Sequence, residues 1–126
     1  MRILVTGSRD WQDRETIGHA LLDVRDKPRP GVASRMVLVH GDCPTGADAI
    51  ANEWAQRWGW DVEPHPADWE THGKAAGPRR NQQMVDLGAD ICLAFPLPDS
   101  RGTRHCMAAA GRAGIPVHIF TPKEAP

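Results

Sequence analysis

Gly41-Asp42-Cys43-Pro44-Thr45-Gly46-Ala47-Asp48 is the stretch of this sequence that decides the fold. It joins an apolar run, residues 36–39, to a segment with the periodicity of a helix. The apolar residues of that segment fall on one stripe of a helix: Ala47, Ile50, Ala51, Trp54, Ala55 and Trp58. The stretch therefore predicts a strand, a glycine-bearing loop and a helix in succession.

The start of this helix has two interpretations. A helix N-terminus directs unpaired N–H groups and the positive end of its dipole outwards, and the small residues Gly46 and Ala47 would let a phosphate approach. Thr45 and Asp48 also stand in a T-x-x-D relation close to a capping box, which explains them as the helix start alone. The local pattern is compatible with both.

Two standard nucleotide motifs are absent from the sequence. A P-loop has a lysine directly after its second glycine, whereas Ala47 and Asp48 follow Gly46 here. No G-x-G-x-x-G fingerprint follows any predicted strand either. We therefore expect an unusual nucleotide loop or none.

The size and composition are those of one globular domain. The chain has 126 residues, of which 40% are hydrophobic and 25% charged, enough for a real core. We predict one domain over residues 1–121 and a C-terminal tail over residues 122–126. The formal net charge of −1 gives no general attraction to nucleic acid, so any anion site must be local.

The apolar runs, the N-terminus and the cysteines indicate a cytoplasmic location. No apolar run approaches the ~20 residues that span a bilayer, and the N-terminus is too short for a signal-peptide core. Cys43, Cys92 and Cys106 are odd in number and lack C-x-x-C spacing, so neither a disulfide framework nor a structural zinc site is expected. We predict a cytoplasmic protein with no membrane partner and no metal site.

Strand and helix patterns alternate along the chain. Apolar runs predict strands at residues 2–6, 36–40, 61–65, 91–95 and 117–120. Helical patterns predict helices from about Asp13 to the turn at Pro28–Gly31, from the Gly41–Asp48 loop to Gly59, from Pro78 to about Gly88, and from Thr103 to Gly114. Residues 66–77 are predicted to form a loop. This alternation predicts an α/β fold with a mainly parallel five-stranded sheet and helices on both faces.

The predicted topology also locates a site. The first, second and fourth strands are the most hydrophobic and should be central, whereas Pro64 puts the third at an edge. Ligands of such sheets lie beyond the carboxyl ends of the strands, where the strand order reverses. The loops at residues 7–11, 41–48 and 96–103 should therefore share one rim that holds the site.

Several side chains near that rim suit an anionic ligand. Guanidinium groups bind phosphate or carboxylate through paired hydrogen bonds, and five arginines are expected there: Arg9, Arg79, Arg80, Arg101 and Arg104. Each is equally explained as a solvated surface residue. Ser8 and Thr103 offer hydroxyl groups, which also serve caps and turns.

Other residues carry two interpretations each. Trp11 and Trp69 lie in predicted loops, where an indole either stacks on a base or covers the core. Asp42 and Asp48 are candidates for holding a ribose hydroxyl, or a metal through water, although Asp48 is better explained as a cap. Cys106 falls on the apolar stripe of the last helix and is expected to be a buried, inert thiol.

Four ordered motifs resemble the YspA-like (YpsA-related) branch of the SLOG superfamily, over nearly the whole chain. They are Val5-Thr6-Gly7-Ser8-Arg9, the Gly41–Asp48 loop, Lys74-Ala75-Ala76-Gly77-Pro78-Arg79-Arg80-Asn81 and Gly102-Thr103-Arg104. The resemblance implies a single Rossmann-like, three-layer domain that binds or processes nucleotides or nucleotide-derived ligands. It also implies a distant similarity to the Lonely Guy phosphoribohydrolases and the DprA DNA-processing proteins.

The Lonely Guy motif P-G-G-x-G-T-x-x-E is only partly matched. Gly102-Thr103 align with its G-T, but Asp99-Ser100 replace two glycines and Cys106 stands where the family has its catalytic glutamate. Glycosidic hydrolysis needs an acid or base, so a carboxylate would have to come from elsewhere. The catalytic candidates are Asp42, Asp48 and Arg80, with Asp99 as a further carboxylate.

These observations predict one contact set at the rim. The ligand-binding candidates are Gly7, Ser8, Arg9, Gly41, Asp42, Thr45, Gly46, Ala47, Asp48, Arg79, Arg80, Asn81, Gly102, Thr103 and Arg104. The expected ligand is a nucleotide or an NAD- or ADP-ribose-like molecule, bound by a sensor or processing domain. A nucleotide hydrolase and a DprA-like binder of single-stranded DNA are the alternatives, and the resemblance to Lonely Guy proteins implies a homodimer.

Overall fold

The computed structural model describes residues 1–27, 29–32 and 34–123 and has a parallel sheet at its centre. The strands are β1 (Arg2–Gly7), β2 (Val37–His40), β3 (Asp61–Pro64), β4 (Ile91–Phe95) and β5 (Val117–Ile119). The helices are α1 (Arg14–Asp26), α2 (Gly46–Arg57), α3 (Trp69–His72), α4 (Ala76–Leu87) and α5 (Arg101–Arg112), with a 3₁₀ turn, Gly73–Ala75, before α4.

The sheet order is β3-β2-β1-β4-β5, and every neighbouring pair of these strands is parallel. Every residue of β4 is buried, as a continuous apolar run requires when both faces of a strand are covered. Strand β3 lies at an edge, where Pro64 costs no ladder hydrogen bond. The predicted α/β fold, the three central strands and the edge position of the third are confirmed.

Two hydrophobic clusters form the layers on either side of the sheet. One packs α1 and α2 against Ile3, Val5 and Phe95, and the other packs α4 and α5 against Leu4 and Cys92. Successive β1 side chains thus enter opposite layers, as the two-residue period of a strand requires. The domain is a three-layer, Rossmann-like sandwich.

The structure corrects the prediction between β3 and α4. Residues 66–77 are not all loop, because Asp68 accepts the N–H of Thr71 at 3.2 Å and begins the short helix α3. Helix α4 starts at Ala76 rather than at Pro78. Pro78 is tolerated as its third residue because first-turn N–H groups have no partner within a helix.

Smaller differences concern the end of α1, the helix α5 and the C-terminal segment. Helix α1 ends at Asp26, and the predicted stop at Pro28 lies outside the described residues. Helix α5 spans Arg101–Arg112 rather than the predicted Thr103–Gly114, and its buried residues are Thr103, Cys106, Ala109 and Ala110. The predicted tail is described as far as Lys123, whose N–H donates to Asp13 Oδ2 at 2.8 Å; residues 124–126 lie outside the description.

Candidate functional site

A cavity of about 780 Å³ opens at the carboxyl ends of the central strands. The chain leaves β1 towards α1 on one face of the sheet and leaves β4 towards α5 on the other. This reversal of strand order separates the two loops and creates the crevice. Its volume falls within the range of about 300–1,000 Å³ that is usual for small-molecule sites.

The structure brings together part of the predicted contact set. The cavity is lined by Gly7, Ser8, Arg9, Gly41, Asp48, Arg80, Asn81, Gly102 and Thr103. The residues of the set that do not line it are Asp42, Thr45, Gly46, Ala47, Arg79 and Arg104. The second list contains most of the stretch that opens α2, which is the main difference from the predicted arrangement.

The first turn of α2 is covered by the loop that follows β1. The N–H of Ala47 donates to the carbonyl of Ser8 at 3.0 Å, and the hydroxyl of Thr45 donates to the carbonyl of Arg9 at 3.0 Å. Gly46 has φ +75, and a Cβ there would overlap the backbone of Ser8 and Arg9. The glycine thus allows two backbone segments to meet.

The predicted capping box at Thr45 and Asp48 is wrong. Thr45 occupies the N-cap position of α2, but its side chain makes no cap hydrogen bond. Asp48 reaches instead into the preceding loop, where its Oδ2 accepts the N–H groups of Gly41 at 3.1 Å and Cys43 at 3.4 Å. Asp48 therefore stabilises the loop rather than the helix N-cap.

The Asp48 carboxyl is a buried acid beside the cavity. It is 5% exposed, and its Oδ1 has no hydrogen-bond partner in the part of the chain that the structure describes. Burial raises the pKa of this carboxyl above its usual value, while His40, Cys43 and Arg80 oppose the shift. Asp48 is thus easier to protonate than an ordinary aspartate.

Arg80 and Asn81 hold the cavity walls together from α4. Arg80 Nη1 donates to the carbonyl of Gly41 and, at 3.3 Å, to that of His65, and its Nε donates to Asn81 Oδ1 at 2.8 Å. Asn81 Nδ2 donates to the carbonyl of Gly102 at 3.1 Å. These contacts tie the ends of β2 and β3 to the start of α5.

The first turn of α5 faces the cavity. The hydroxyl of Ser100 accepts the N–H of Leu97 at 2.9 Å, and this bond shapes the loop before the helix. The N–H groups of Gly102 and Thr103 have no acceptor within the described residues, and both residues line the cavity. This helix end therefore presents unpaired donors to the cavity.

The cavity wall carries charges of both signs. Three arginines line it, Arg9, Arg80 and Arg101. Three carboxylate residues line it as well, Asp10, Asp48 and Asp99. Since arginines and carboxylate residues are equal in number, the unpaired N–H groups of α5 distinguish the anion-attracting side of the cavity.

Three of the six predicted site residues outside this wall are Arg79, Arg104 and Asp42. Arg79 is exposed on α4, beside Gln82 and Gln83, and Arg104 is exposed on α5. Asp42 is exposed with φ 57, and its N–H donates to His40 Nδ1 at 2.9 Å. His40 must then carry its proton on Nε2, which contacts Asn52 Oδ1 at 3.0 Å.

The cysteines and the two loop tryptophans have distinct environments. Cys106 is fully buried, as predicted, and burial raises its pKa to about 11. Cys43 is half-buried on the cavity wall, where burial also raises its pKa. Trp11 is 2% exposed and packs edge-on against Phe95, so it covers the core, whereas Trp69 is exposed and lines the cavity.

The described residues contain neither a metal-binding cluster nor a membrane-spanning helix. They contain no group of three or more His, Cys, Asp or Glu side chains that could hold a metal ion. Among the same residues, no helix combines the length and the apolar character needed to cross a membrane.

Comparison with known proteins identifies the family. The profile of the YspA, cpYpsA-related SLOG family matches residues 1–72. The Gene 61 protein of Mycobacterium phage D29 is 52% identical over 127 residues, which cover 97% of this chain and 98% of the phage protein. The chain belongs to the YspA-related SLOG family. Membership of this SLOG family fits a nucleotide-related binding or processing role.

Some residues that line the cavity of this SLOG domain are not in the predicted contact set. Arg101 is one of the predicted rim arginines but is not in the predicted contact set, and neither Cys43 nor His105 is in it, although all three line the cavity. The signal for Arg101 in the sequence is its position in the predicted rim loop at residues 96–103. His105 is at the wall because α5 packs beside α4. This packing places His105 Nδ1 3.5 Å from Asn81 Nδ2.

Proposed function

We propose that this SLOG domain binds a nucleotide or a nucleotide derivative in the rim cavity. The single observation that carries the proposal is the first turn of α5, where two unpaired backbone donors face a cavity of suitable volume. Such a helix end attracts a phosphate through its N–H groups and its dipole. Membership of the SLOG family supports the same ligand class.

The arginines extend this anion site across the cavity. Arg101 lies in the same helical turn as the two donors, and Arg9 lines the cavity from the loop after β1. Both side chains are exposed and can adjust to a phosphate, whereas Arg80 is engaged by carbonyl groups. We therefore assign phosphate contact to Arg101 and Arg9, and a positioning role to Arg80.

A matched pair of arginine variants tests the proposal. Wild-type protein is screened by thermal unfolding against AMP, ADP, ATP, NAD and ADP-ribose, and bound nucleotides are then measured by calorimetry. We expect a raised melting temperature with at least one nucleotide, since a ligand that binds only the folded state stabilises it. Arg101→Ala should weaken binding about tenfold, equivalent to 1.4 kcal/mol, and Arg104→Ala on the same helix should not.

Two results would contradict the proposal. One is the absence of any thermal shift across the whole panel. The other is an equal loss of affinity in Arg101→Ala and Arg104→Ala, because Arg104 lies outside the cavity wall. Chromatography of the incubated mixture shows whether a bound nucleotide stays intact, as a sensor or binding module requires.

Asp48 favours nucleotide hydrolysis as a second candidate function. A carboxyl with a raised pKa beside a ligand cavity has the property that general acid catalysis requires. If the domain is a hydrolase, wild-type protein releases base or phosphate, and Asp48→Asn abolishes the release while nucleotide binding persists. Asp42→Asn is the control, because that carboxylate lies outside the cavity wall.

The remaining predictions concern partners and location. The net charge of −1 opposes a role in binding single-stranded DNA. A protein with that role would show an affinity for DNA that falls as the salt concentration rises. The homodimer, the cytoplasmic location and the domain boundary at residue 121 stay predictions. Light scattering of the purified chain tests the dimer directly.

A further inference from the structure

Trp69 is an exposed indole on the wall of the cavity. It is 49% exposed, whereas Trp11 is buried and Trp54, Trp58 and Trp60 pack against the core. A large aromatic side chain kept in water leaves its apolar surface uncompensated. Such surface in the wall of a concave site marks a place where a ligand completes the packing.

The indole is held in place from two sides. The guanidinium carbon of Arg9 lies 5.7 Å from the centroid of the Trp69 ring. On α4, a Cβ added at Gly77 would come within 3.3 Å of Trp69 Cη2, so the absence of a side chain there makes room for the ring. The indole therefore has Arg9 and the α4 backbone as neighbours, and it lines the cavity.

Its own short helix fixes the backbone that carries it. Asp68 begins α3 by accepting the N–H of Thr71, and a side-chain hydrogen bond with the same threonine contributes most to the lowered pKa of the Asp68 carboxyl. Gly73 ends the helix at φ +54, a conformation that favours glycine. The backbone that carries Trp69 is thus fixed by the Asp68 cap at the start of α3 and by Gly73 at its end.

We propose that Trp69 stacks on the planar base of the ligand and so determines which phosphate compounds the cavity accepts. The inference rests on the proposed nucleotide binding and extends it from the phosphate to the base. A π face flanked by Arg9, in the same cavity as the α5 donors, suits a molecule that joins an aromatic ring to an anion. A sugar phosphate without a base would leave the indole uncovered.

AMP and ribose 5-phosphate form a matched pair of probes, because they differ by the base alone. Wild-type protein should bind AMP about tenfold more tightly than ribose 5-phosphate, a typical contribution of one stacked base. Trp69→Leu should remove most of this preference and leave the affinity for ribose 5-phosphate unchanged. Trp69→Phe, which keeps a ring, should retain most of it.

Fluorescence provides an independent readout. AMP should quench the tryptophan emission of wild-type protein, and the quenching should disappear in Trp69→Phe while binding persists in calorimetry. Leu87→Ala serves as the control, since Leu87 is exposed on α4 and outside the cavity wall. Thermal unfolding of each variant shows that it is folded.

The outcomes separate this inference from the proposed function. Equal affinities of wild-type protein for AMP and ribose 5-phosphate, or unchanged AMP affinity in Trp69→Leu, would overturn stacking and leave phosphate binding intact. Failure of AMP to bind a protein that binds another nucleotide of the panel would also overturn it. A protein that binds no nucleotide at all contradicts the proposed function itself.

Discussion

The N-termini of α2 and α5 lie at the same rim of the sheet but have different environments. At α2 the loop after β1 covers the first turn, and the Ser8 carbonyl accepts the Ala47 N–H. The same turn carries its own carboxylate, Asp48. At α5 the first turn has no acidic residue, and Gly102 and Thr103 line the cavity.

The difference shows that a glycine-bearing loop before a helix does not suffice for an anion site. In α2 the glycine serves a close approach of two backbone segments, and an acidic side chain already occupies the first turn. In α5 the corresponding donors remain available. The packing around each helix end, rather than the local motif, decides which one can receive a ligand.

The largest expected effect separates the glycines of the two turns. Gly46→Ala should lower the free energy of unfolding by roughly 2–4 kcal/mol, because φ +75 disfavours a side chain and the new methyl overlaps the Ser8 backbone. Gly102→Ala has open space and should change it by less than about 1 kcal/mol. Urea denaturation measures both, and similar losses would refute the contrast.

A smaller effect separates the caps of α1 and α2. Asp13 accepts the backbone N–H of Thr16 at 3.2 Å, so Asp13→Ala should cost about 1 kcal/mol. Thr45 makes no such bond, and Thr45→Ala should cost less than about 0.5 kcal/mol. Equal losses in thermal or urea unfolding would show that the Thr45 side chain caps α2 after all.

The smallest effect is a change in pH dependence at the α2 turn. Burial raises the pKa of Asp48 in the folded state above its value in the unfolded chain. The protonated carboxyl therefore contributes to the free energy of unfolding in full below the unfolded-state pKa. This contribution is lost as pH rises through the folded-state pKa. Asp48→Asn should therefore lose less stability than wild type as pH rises from about 4. Urea unfolding at several pH values measures the difference.

Glu63 provides a contrast of opposite sign for this experiment. Its hydrogen bonds with Arg2 and His65 lower its pKa to about 2, so its contribution is present above its unfolded pKa and is lost as pH falls through about 2. Glu63→Gln should therefore reduce acid destabilisation without altering the behaviour above pH 5. A wild-type slope that Asp48→Asn leaves unchanged would contradict the assignment to Asp48.

The sequence predicted the fold well because each strand and helix carries its own periodicity. The continuous apolar run of β4 and the stripe of α2 required no knowledge of neighbours. Pro64 likewise placed β3 at an edge for a local reason, its missing donor.

The site was predictable only in part, because contacts between distant segments determine it. The sequence placed the loops after β1, β2 and β4 at one rim, and each contributes to the cavity wall. It could not show that the β1 loop covers Gly46, nor that Trp11 enters the core while Trp69 remains exposed. Those outcomes depend on side chains more than thirty residues apart, such as Trp11 and Phe95.

The most direct test of the central claim is a titration of ¹⁵N-labelled protein with the best-binding nucleotide of the panel, followed by amide NMR. We expect the largest shifts at Gly102 and Thr103 and little change at Gly46 and Ala47. Large shifts at Gly46 and Ala47 with none at Gly102 and Thr103 would contradict the account, because the nucleotide would then bind at α2 instead of α5.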